Sequence, residues 1–89
     1  MKRINKNIYE YSMKVLNFIS LNRRTVHGGE TFCPFSQAEM AEILNLTCGK
    51  VSRSIKHLSS LGYVEKEPQK SRKYKITKSG RNALKRMKK

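Results

Sequence analysis

The stretch SQAEMAEILNLTCGKVSRSIKHLSSL, residues 36–61, predicts two short helices joined by a tight turn. Ser36 and Glu39 have the S-x-x-E spacing of a capping box, so the first of these helices is expected to begin after Ser36. Asn45 is well suited to end it, because Asn tolerates the left-handed conformation of helix ends better than any residue except Gly. Three apolar side chains are expected on its buried face: Met40, Ile43 and Leu44.

The next helix is expected from about Cys48 to Leu61, with Thr47 as its N-cap. Its apolar residues recur at intervals of three and four and predict a buried face of Val51, Ile55, Leu58 and Leu61. The opposite face has three cations and no acid: Gly49, Lys50, Ser52, Arg53, Lys56, His57 and Ser60. A solvated surface helix normally mixes charges of both signs, because oppositely charged pairs four residues apart stabilise it. An acid-free face is more typical of a helix that lies against phosphates and base edges, although a merely solvated basic face is the alternative.

The segment GYVEKEPQKSRKYKITKSG, residues 62–80, predicts a β-hairpin with a basic tip. Apolar and polar residues alternate on both sides of the tip, over 63–67 and 74–77, as in paired strands. Helix, turn, helix and basic hairpin is the layout of a winged helix-turn-helix, a mainly α fold with a small β-hairpin (α+β). The hairpin would be the wing, and its candidate DNA contacts are Lys70, Ser71, Arg72 and Lys73. The candidate DNA contacts of the preceding helix are Thr47, Gly49, Lys50, Ser52, Arg53, Lys56 and His57.

Two further helices are expected outside this core, over residues 5–22 and 79–89. Residues 23–30 are expected to be a loop, with a short strand from Thr31 to Cys33 before Pro34. The resulting order is helix, short strand, helix, helix, strand, wing, strand, helix, in one domain over residues 1–89. Apolar residues cover more of the first helix than one core contact requires, so either it is deeply packed or one side meets a second copy of the chain. The candidate dimer residues are Ile8, Tyr9, Met13 and Leu16, and the last helix is a second candidate dimer element.

Positive charge is concentrated in the second half of the chain. Residues 1–47 contain six Lys or Arg and four Glu, a net +2, whereas residues 48–89 contain fourteen Lys or Arg and two Glu, a net +12. Affinity for a DNA duplex comes largely from cations that displace its condensed counterions. The expected partner is therefore double-stranded DNA.

Composition and spacing disfavour several other classes of protein. Cys33 and Cys48 are too few for a disulfide framework, and with His27 and His57 they lack the paired short spacings of a zinc site. The chain has no Asp, no P-loop and no Ser/His/acid arrangement, so we expect no catalytic residue, no cofactor and no bound metal. No run approaches a membrane span and the N-terminus lacks the features of a signal peptide, so the expected location is the cytoplasm, in association with the nucleoid or a plasmid.

Over roughly residues 36–86 the chain resembles the MarR-type winged-helix families. The resemblance is carried by AEILNLT at 41–47, VSR at 51–53, LSSLGYV at 58–64 and ITKSGR at 76–81. These families regularly show an apolar residue, Thr, two variable residues and Gly where the second wing strand passes into a helix. The resemblance implies that the helix over 48–61 enters the major groove. It also implies DNA contacts from Lys50, Ser52, Arg53, Lys56, His57, Lys70 and Arg72.

Full MarR-type repressors carry long flanking helices that build a dimer and an effector pocket, and the flanks here are shorter. By size and fold the chain is also similar to small plasmid and phage adaptors that coat centromere repeats and recruit a filament-forming NTPase. A dimeric transcriptional regulator is the leading hypothesis, and a segregation or replication adaptor with an NTPase partner is the alternative. An RNA or ribosome binder, or a winged helix used for protein contact, is less favoured because the basic half offers no aromatic platform for stacking unpaired bases.

Overall fold

The computed structural model describes residues 6–25, 27–66 and 73–87, with side-chain surroundings given for 11–25, 27–66 and 73–86. Within these residues helices dominate, and the strands are two or three residues long. The elements are, in chain order, α1 (Lys6–Leu21), β1 (Arg24–Thr25), β2 (Thr31–Phe32), α2 (Gln37–Leu44), α3 (Cys48–Ser60), β3 (Val64–Lys66), β4 (Tyr74–Ile76) and α4 (Lys78–Met87). The predicted mainly α fold with a small antiparallel hairpin is confirmed. None of the described helices is both long and apolar enough to cross a bilayer.

The helix-turn-helix is fixed by local hydrogen bonds that its sequence predicts. The backbone N–H of Ser36 donates to Glu39 Oε1 at 2.8 Å, and the N–H of Glu39 donates to Ser36 Oγ at 3.2 Å, which completes the capping box. Asn45 ends α2 in the left-handed conformation, with φ 59° and ψ 46°. The N–H of Leu46 then donates to the carbonyl of Ala41 at 2.8 Å, which closes the end of α2 before the chain enters α3.

Helix α3 begins and ends where its sequence indicates. Thr47 Oγ1 accepts a hydrogen bond from the N–H of Lys50 at 3.1 Å, as an N-cap does. Gly62 follows the helix with a φ of +77°, and the N–H of Tyr63 donates back to the carbonyl of Leu58 at 2.9 Å. This pairing satisfies carbonyl groups that would otherwise be left open at the helix end.

The wing strands pair as expected, with Val64 opposite Ile76 and Lys66 opposite Tyr74. Tyr74 and Ile76 lie on one buried face of β4. The segment before α2 joins this sheet at one point, since Cys33 and Tyr74 exchange backbone hydrogen bonds of 2.8 and 3.2 Å. The sheet therefore connects the wing to the middle of the domain.

The prediction of a plain loop over residues 23–30 is wrong at its beginning. Arg24 and Thr25 form β1 and pair antiparallel with Phe32 and Thr31 of β2. Gly28 and Gly29 adopt φ values of +91° and +85° in the connection between the strands. Gly28 and Gly29 indicate a turn, but β1 has only the two residues Arg24 and Thr25, which are too few to show the alternating pattern of a strand.

The core lies where α1, α3, β4 and α4 meet, and α1 makes its most extensive contact with α3. Val51, Ile55 and Leu58 of α3 are buried as predicted. Two predicted core residues are not, since Ile43 is 57% exposed and Leu61 is 46% exposed. The helical period places each near the apolar side, but no described element covers them, and the smaller Ala41 and Ser54 are buried instead.

The start of α4 depends on two residues of the ITKSG motif. Thr77 Oγ1 donates to the carbonyl of Gly62 at 2.6 Å and accepts from the N–H of Gly80 at 3.0 Å. A Cβ atom on Gly80 would overlap the carbonyl oxygen of Tyr63 and lie 2.9 Å from Cγ1 of Ile76. Thr77 therefore caps α4 and holds it beside the end of α3, while Gly80 permits the close approach.

Candidate nucleic-acid interface

The outward face of α3 is open to solvent around two cations. Arg53 and Lys56 are exposed, and neither has an ion-pair partner among the described residues. Their three-residue spacing places them side by side on the helix surface, opposite the face that carries Val51, Ile55 and Leu58. Because α3 contains no acid, this surface presents positive charge without an internal counterion.

Lys50, also predicted for this face, turns toward α1. Its ammonium Nζ lies 3.2 Å from the phenolic oxygen of Tyr11 and 4.7 Å from the centre of the Tyr11 ring. Lys50 therefore lies at the boundary between α3 and α1, beside the phenol of Tyr11, at the edge of the outward face.

His57 is at the same boundary and is half-buried. Its Nδ1 lies 2.9 Å from Oγ of Ser12, a serine that is 1% exposed at the contact between α1 and α3. The ring is thus part of the packing of α3 on α1. The prediction grouped His57 with the outward face because its helical position is adjacent to that face, whereas its polar atom is engaged by the neighbouring helix.

The other three candidates on or next to α3 are small. Thr47 is exposed, and its hydroxyl oxygen is occupied as the N-cap of the helix. Gly49 is exposed and Ser52 is half-buried. The structure therefore brings Gly49, Ser52, Arg53 and Lys56 together on the outer side of α3, with Thr47 before its first turn and with Lys50 and His57 toward α1.

The tip of the wing, residues 67–72, lies outside the described residues, and with it the candidates Lys70, Ser71 and Arg72. Lys73 is described, at the base of the wing. Its Nζ lies 2.9 Å from Oε1 of Glu30 and 5.1 Å from the centre of the Phe32 ring. Lys73 is therefore held against the β1–β2 hairpin by the carboxylate of Glu30.

Glu30 bonds to a second wing cation as well. Nζ of Lys75 lies 2.7 Å from Oε2 of Glu30. Hydrogen bonds from Lys75 and Lys73, together with the positive charges of both lysines, lower the pKa of Glu30 from 4.5 to about 2, and desolvation opposes this shift. The carboxylate of Glu30 thus neutralises part of the positive charge at the base of the wing. Glu30 lies in residues 1–47, the half of the sequence in which few DNA contacts were expected.

The two thiols have different surroundings. Cys33 is fully buried, and burial raises the pKa of its thiol, opposed by a backbone hydrogen bond at Phe35. Burial also raises the pKa of Tyr74, opposed by a hydrogen bond from the Gln37 side chain. Cys48 is exposed at the start of α3.

Within the described part of the chain, no three His, Cys or Glu side chains come together as a metal site requires.

Pattern reasoning missed the partners that α1 and the β1–β2 hairpin supply to this surface. Tyr11 contacts Lys50 from 39 residues away, and Ser12 contacts His57 from 45 residues away. In the sequence, Tyr11 is one of several apolar or aromatic residues of the first helix, and Glu30 falls in the segment expected to be a loop. No local signal identifies such pairs, because the approach of the two segments depends on the whole packing of α1 against α3 and of the hairpin against the wing.

Of the four candidate dimer residues, the two with described surroundings are buried in the monomer. Leu16 is fully buried and Met13 is 5% exposed. The side chains of Ile8 and Tyr9 lie outside what the structure describes. Met13 and Leu16 pack in the domain's own core, so they do not form a separate apolar face on α1.

Comparison with known proteins agrees with this arrangement. The family model of the winged helix DNA-binding domain matches residues 13–80, which is more than half of the chain and includes the whole helix-turn-helix and both wing strands. No curated protein and no solved structure matches the chain. The order of helices, the paired wing strands and this match lead to one conclusion: the chain belongs to the winged helix DNA-binding domain family.

Proposed function

We propose that this protein is a MarR-like transcriptional regulator that binds double-stranded DNA as a homodimer, with α3 in the major groove and the wing on the backbone or adjacent minor groove. The observation that carries the proposal is the outward face of α3, where Arg53 and Lys56 are exposed and no acid is present on the helix. Arg53 can donate two parallel hydrogen bonds to a guanine edge. Lys56, one turn along, can meet a base edge or a phosphate.

Lys50 and Thr47 have supporting roles in this proposal. Lys50 rests on Tyr11 with its ammonium at the edge of the outward face, so it is directed to the phosphate backbone beside the groove. Thr47 fixes the first turn of α3, on which the direction of every later side chain depends. His57, bonded to Ser12, orients α3 on α1.

A homodimer is part of the same proposal. Two exposed apolar residues, Leu21 on α1 and Ile43 on α2, line a groove of about 400 Å³ that also includes Phe18 and Leu44. We expect a second copy of the chain to cover this groove, with two half-sites roughly one helical turn of DNA apart.

A segregation or replication adaptor is the alternative within the same DNA chemistry. In an adaptor, the exposed Leu21 and Ile43 of this groove would contact the NTPase in place of a second copy of the chain. The bound DNA distinguishes the two functions, because a promoter-binding regulator occupies one or two palindromic sites and an adaptor coats an array of direct repeats.

The assignment of α3 to the groove is tested by Arg53→Ala. We expect the variant to bind its preferred duplex more weakly by about 1–3 kcal/mol and to lose preference at one or two base positions. The matched control is Lys85→Ala, which removes one exposed cation from α4 and should leave base preference unchanged. Competition binding against a library of single-base variants measures both quantities. Unchanged affinity and preference in Arg53→Ala would show that α3 does not read the bases.

The biological role is tested by selecting genomic duplex fragments bound at about 150 mM salt, where sequence-independent binding is weak. One or two palindromes upstream of a gene are the expected result. A tight array of direct repeats beside the gene of a filament-forming NTPase would contradict the regulator and support the adaptor.

A further inference from the structure

Four of the five glycines in this chain have a structural reason to be glycine. Gly28, Gly29 and Gly62 adopt φ values of +91°, +85° and +77°, a region that L side chains rarely enter. Gly80 has no room for a Cβ atom, because the backbone of Tyr63 occupies that space. Substitution at any of these four positions would strain the folded chain.

Gly49 has no such reason. It lies inside α3, and its φ is not in the left-handed region. A Cβ atom added there would meet only Oγ1 of Thr47, at 3.9 Å, which is ordinary van der Waals contact. Glycine is also the least favourable residue of a helix after proline, because it loses the most backbone freedom on folding. The fold would therefore be served as well or better by alanine at this position.

The position of Gly49 on α3 indicates that a DNA partner needs the space that a side chain would fill. Gly49 is exposed on the same side of α3 as Arg53 and Lys56, which follow it by four and seven residues. It is the second residue of the helix, and a recognition helix inserts its N-terminal residues toward the base edges. A side chain at this position would project between the helix and the floor of the groove.

We propose that Gly49 is the point at which α3 approaches DNA most closely, with base edges lying against its bare Cα, and that its lack of a side chain sets the depth of the helix in the major groove. The inference rests on the proposed placement of α3. Its chemical basis is steric, since each added carbon lifts the helix and lengthens the bonds that Arg53 and Lys56 make.

Gly49→Ala and Gly49→Leu test this inference, measured against the tightest-bound duplex recovered from a random-sequence library. For Gly49→Ala we expect a melting temperature equal to or a few degrees above that of the unmodified chain. We expect the dissociation constant of Gly49→Ala for this duplex to rise about tenfold or more, which is the effect of losing one good base contact. The dissociation constant of Gly49→Leu should rise further. Ser59→Thr is the matched control, because it adds one methyl group at an exposed position near the other end of α3 and should change neither quantity appreciably.

Two results would overturn the inference, and both are distinct from failure of the proposed function. In the first, Gly49→Ala binds as tightly as the unmodified chain while Arg53→Ala binds weakly. This result would mean that α3 lies in the groove but that DNA leaves room for a side chain at position 49. A Gly49→Ala variant that melts well below the unmodified chain would show that glycine serves the fold. If neither Gly49→Leu nor Arg53→Ala weakens binding, the proposed placement of α3 is itself wrong.

Discussion

At the scale of single residues, cations of the basic half differ in how much of their charge is available to a partner. Arg53 and Lys56 project from α3 into solvent, whereas Lys73 and Lys75 share the carboxylate of Glu30. A cation already paired releases fewer counterions when a phosphate approaches it. The formal charge of the chain therefore overstates the charge that the wing base can offer to DNA.

The lowered pKa of Glu30 predicts a specific dependence of stability on pH. A carboxyl whose pKa falls from 4.5 to about 2 on folding stabilises the native state above pH 4.5, and this contribution disappears as the pH falls toward 2. We expect Glu30→Gln to be less stable than the unmodified chain at pH 6, and the difference to vanish near pH 2. Denaturant unfolding across this pH range measures it.

The matched control is Glu42→Gln, which alters an exposed glutamate of α2 that has no ion-pair partner among the described residues. Its stability should follow that of the unmodified chain over the same range. A difference between Glu30→Gln and the unmodified chain that stayed constant from pH 6 to pH 2 would contradict the ion pairs of Glu30.

At the scale of elements, short junctions determine how the helices are placed. The turn between α2 and α3 needs only Asn45 in its left-handed conformation and Thr47 as a cap. The junction between β4 and α4 needs Thr77, which bonds to Gly62 and Gly80 at once, and the bare Cα of Gly80. These two junctions determine the orientation of α3 relative to α2 and of α4 relative to β4.

The β4–α4 junction predicts that Gly80→Ala is destabilising by about 1–3 kcal/mol, the usual cost of forcing extra volume into a packed site. Ser79→Ala, at the exposed neighbouring position of α4, should change stability by no more than about 0.5 kcal/mol. Urea unfolding of both variants gives the comparison. Equal stability in the two would mean that α4 does not pack against Tyr63 as described.

At the scale of the whole molecule, two exposed apolar residues remain on the α1–α2 side. Leu21 is 69% exposed and Ile43 is 57% exposed, across a groove of about 400 Å³. The sequence pattern predicts a dimer contact through Ile8, Tyr9, Met13 and Leu16, and of these Met13 and Leu16 are buried within the monomer. Among the residues whose side chains are described, the C-terminal end of α1 and α2 offer an exposed apolar surface for a dimer contact.

We therefore expect the chain to be a dimer at tens of micromolar and the double variant Leu21→Gln, Ile43→Gln to be a monomer that stays folded, with a melting temperature lowered by the loss of the dimer contact. Light scattering without DNA measures the mass. Leu61→Gln is the control, since Leu61 is also exposed, at 46%, but lies at the end of α3. A monomeric unmodified chain, or a dimer that only Leu61→Gln disrupts, would contradict this placement.

What could be predicted from the sequence depends on how far each interaction reaches along the chain. The capping box at Ser36, the turn at Asn45 and the alternation around Tyr74 involve residues a few positions apart, so their patterns are visible directly. The exposure of Ile43 was not predictable, because periodicity gives the side of a helix but not whether another element covers it. The pairs of Lys50 with Tyr11 and of Lys73 with Glu30 join distant segments, and they follow only from the assembled fold.

The backbone bridge between Cys33 and Tyr74 has a consequence for the order of folding. The wing strands pair across a short connection, whereas the bridge joins two residues 41 positions apart in sequence, with both helices of the helix-turn-helix between them. Closing a longer loop costs more entropy, and contacts between distant residues generally form later. We therefore expect the wing strands to pair first and the bridge between Cys33 and Tyr74 to form after them.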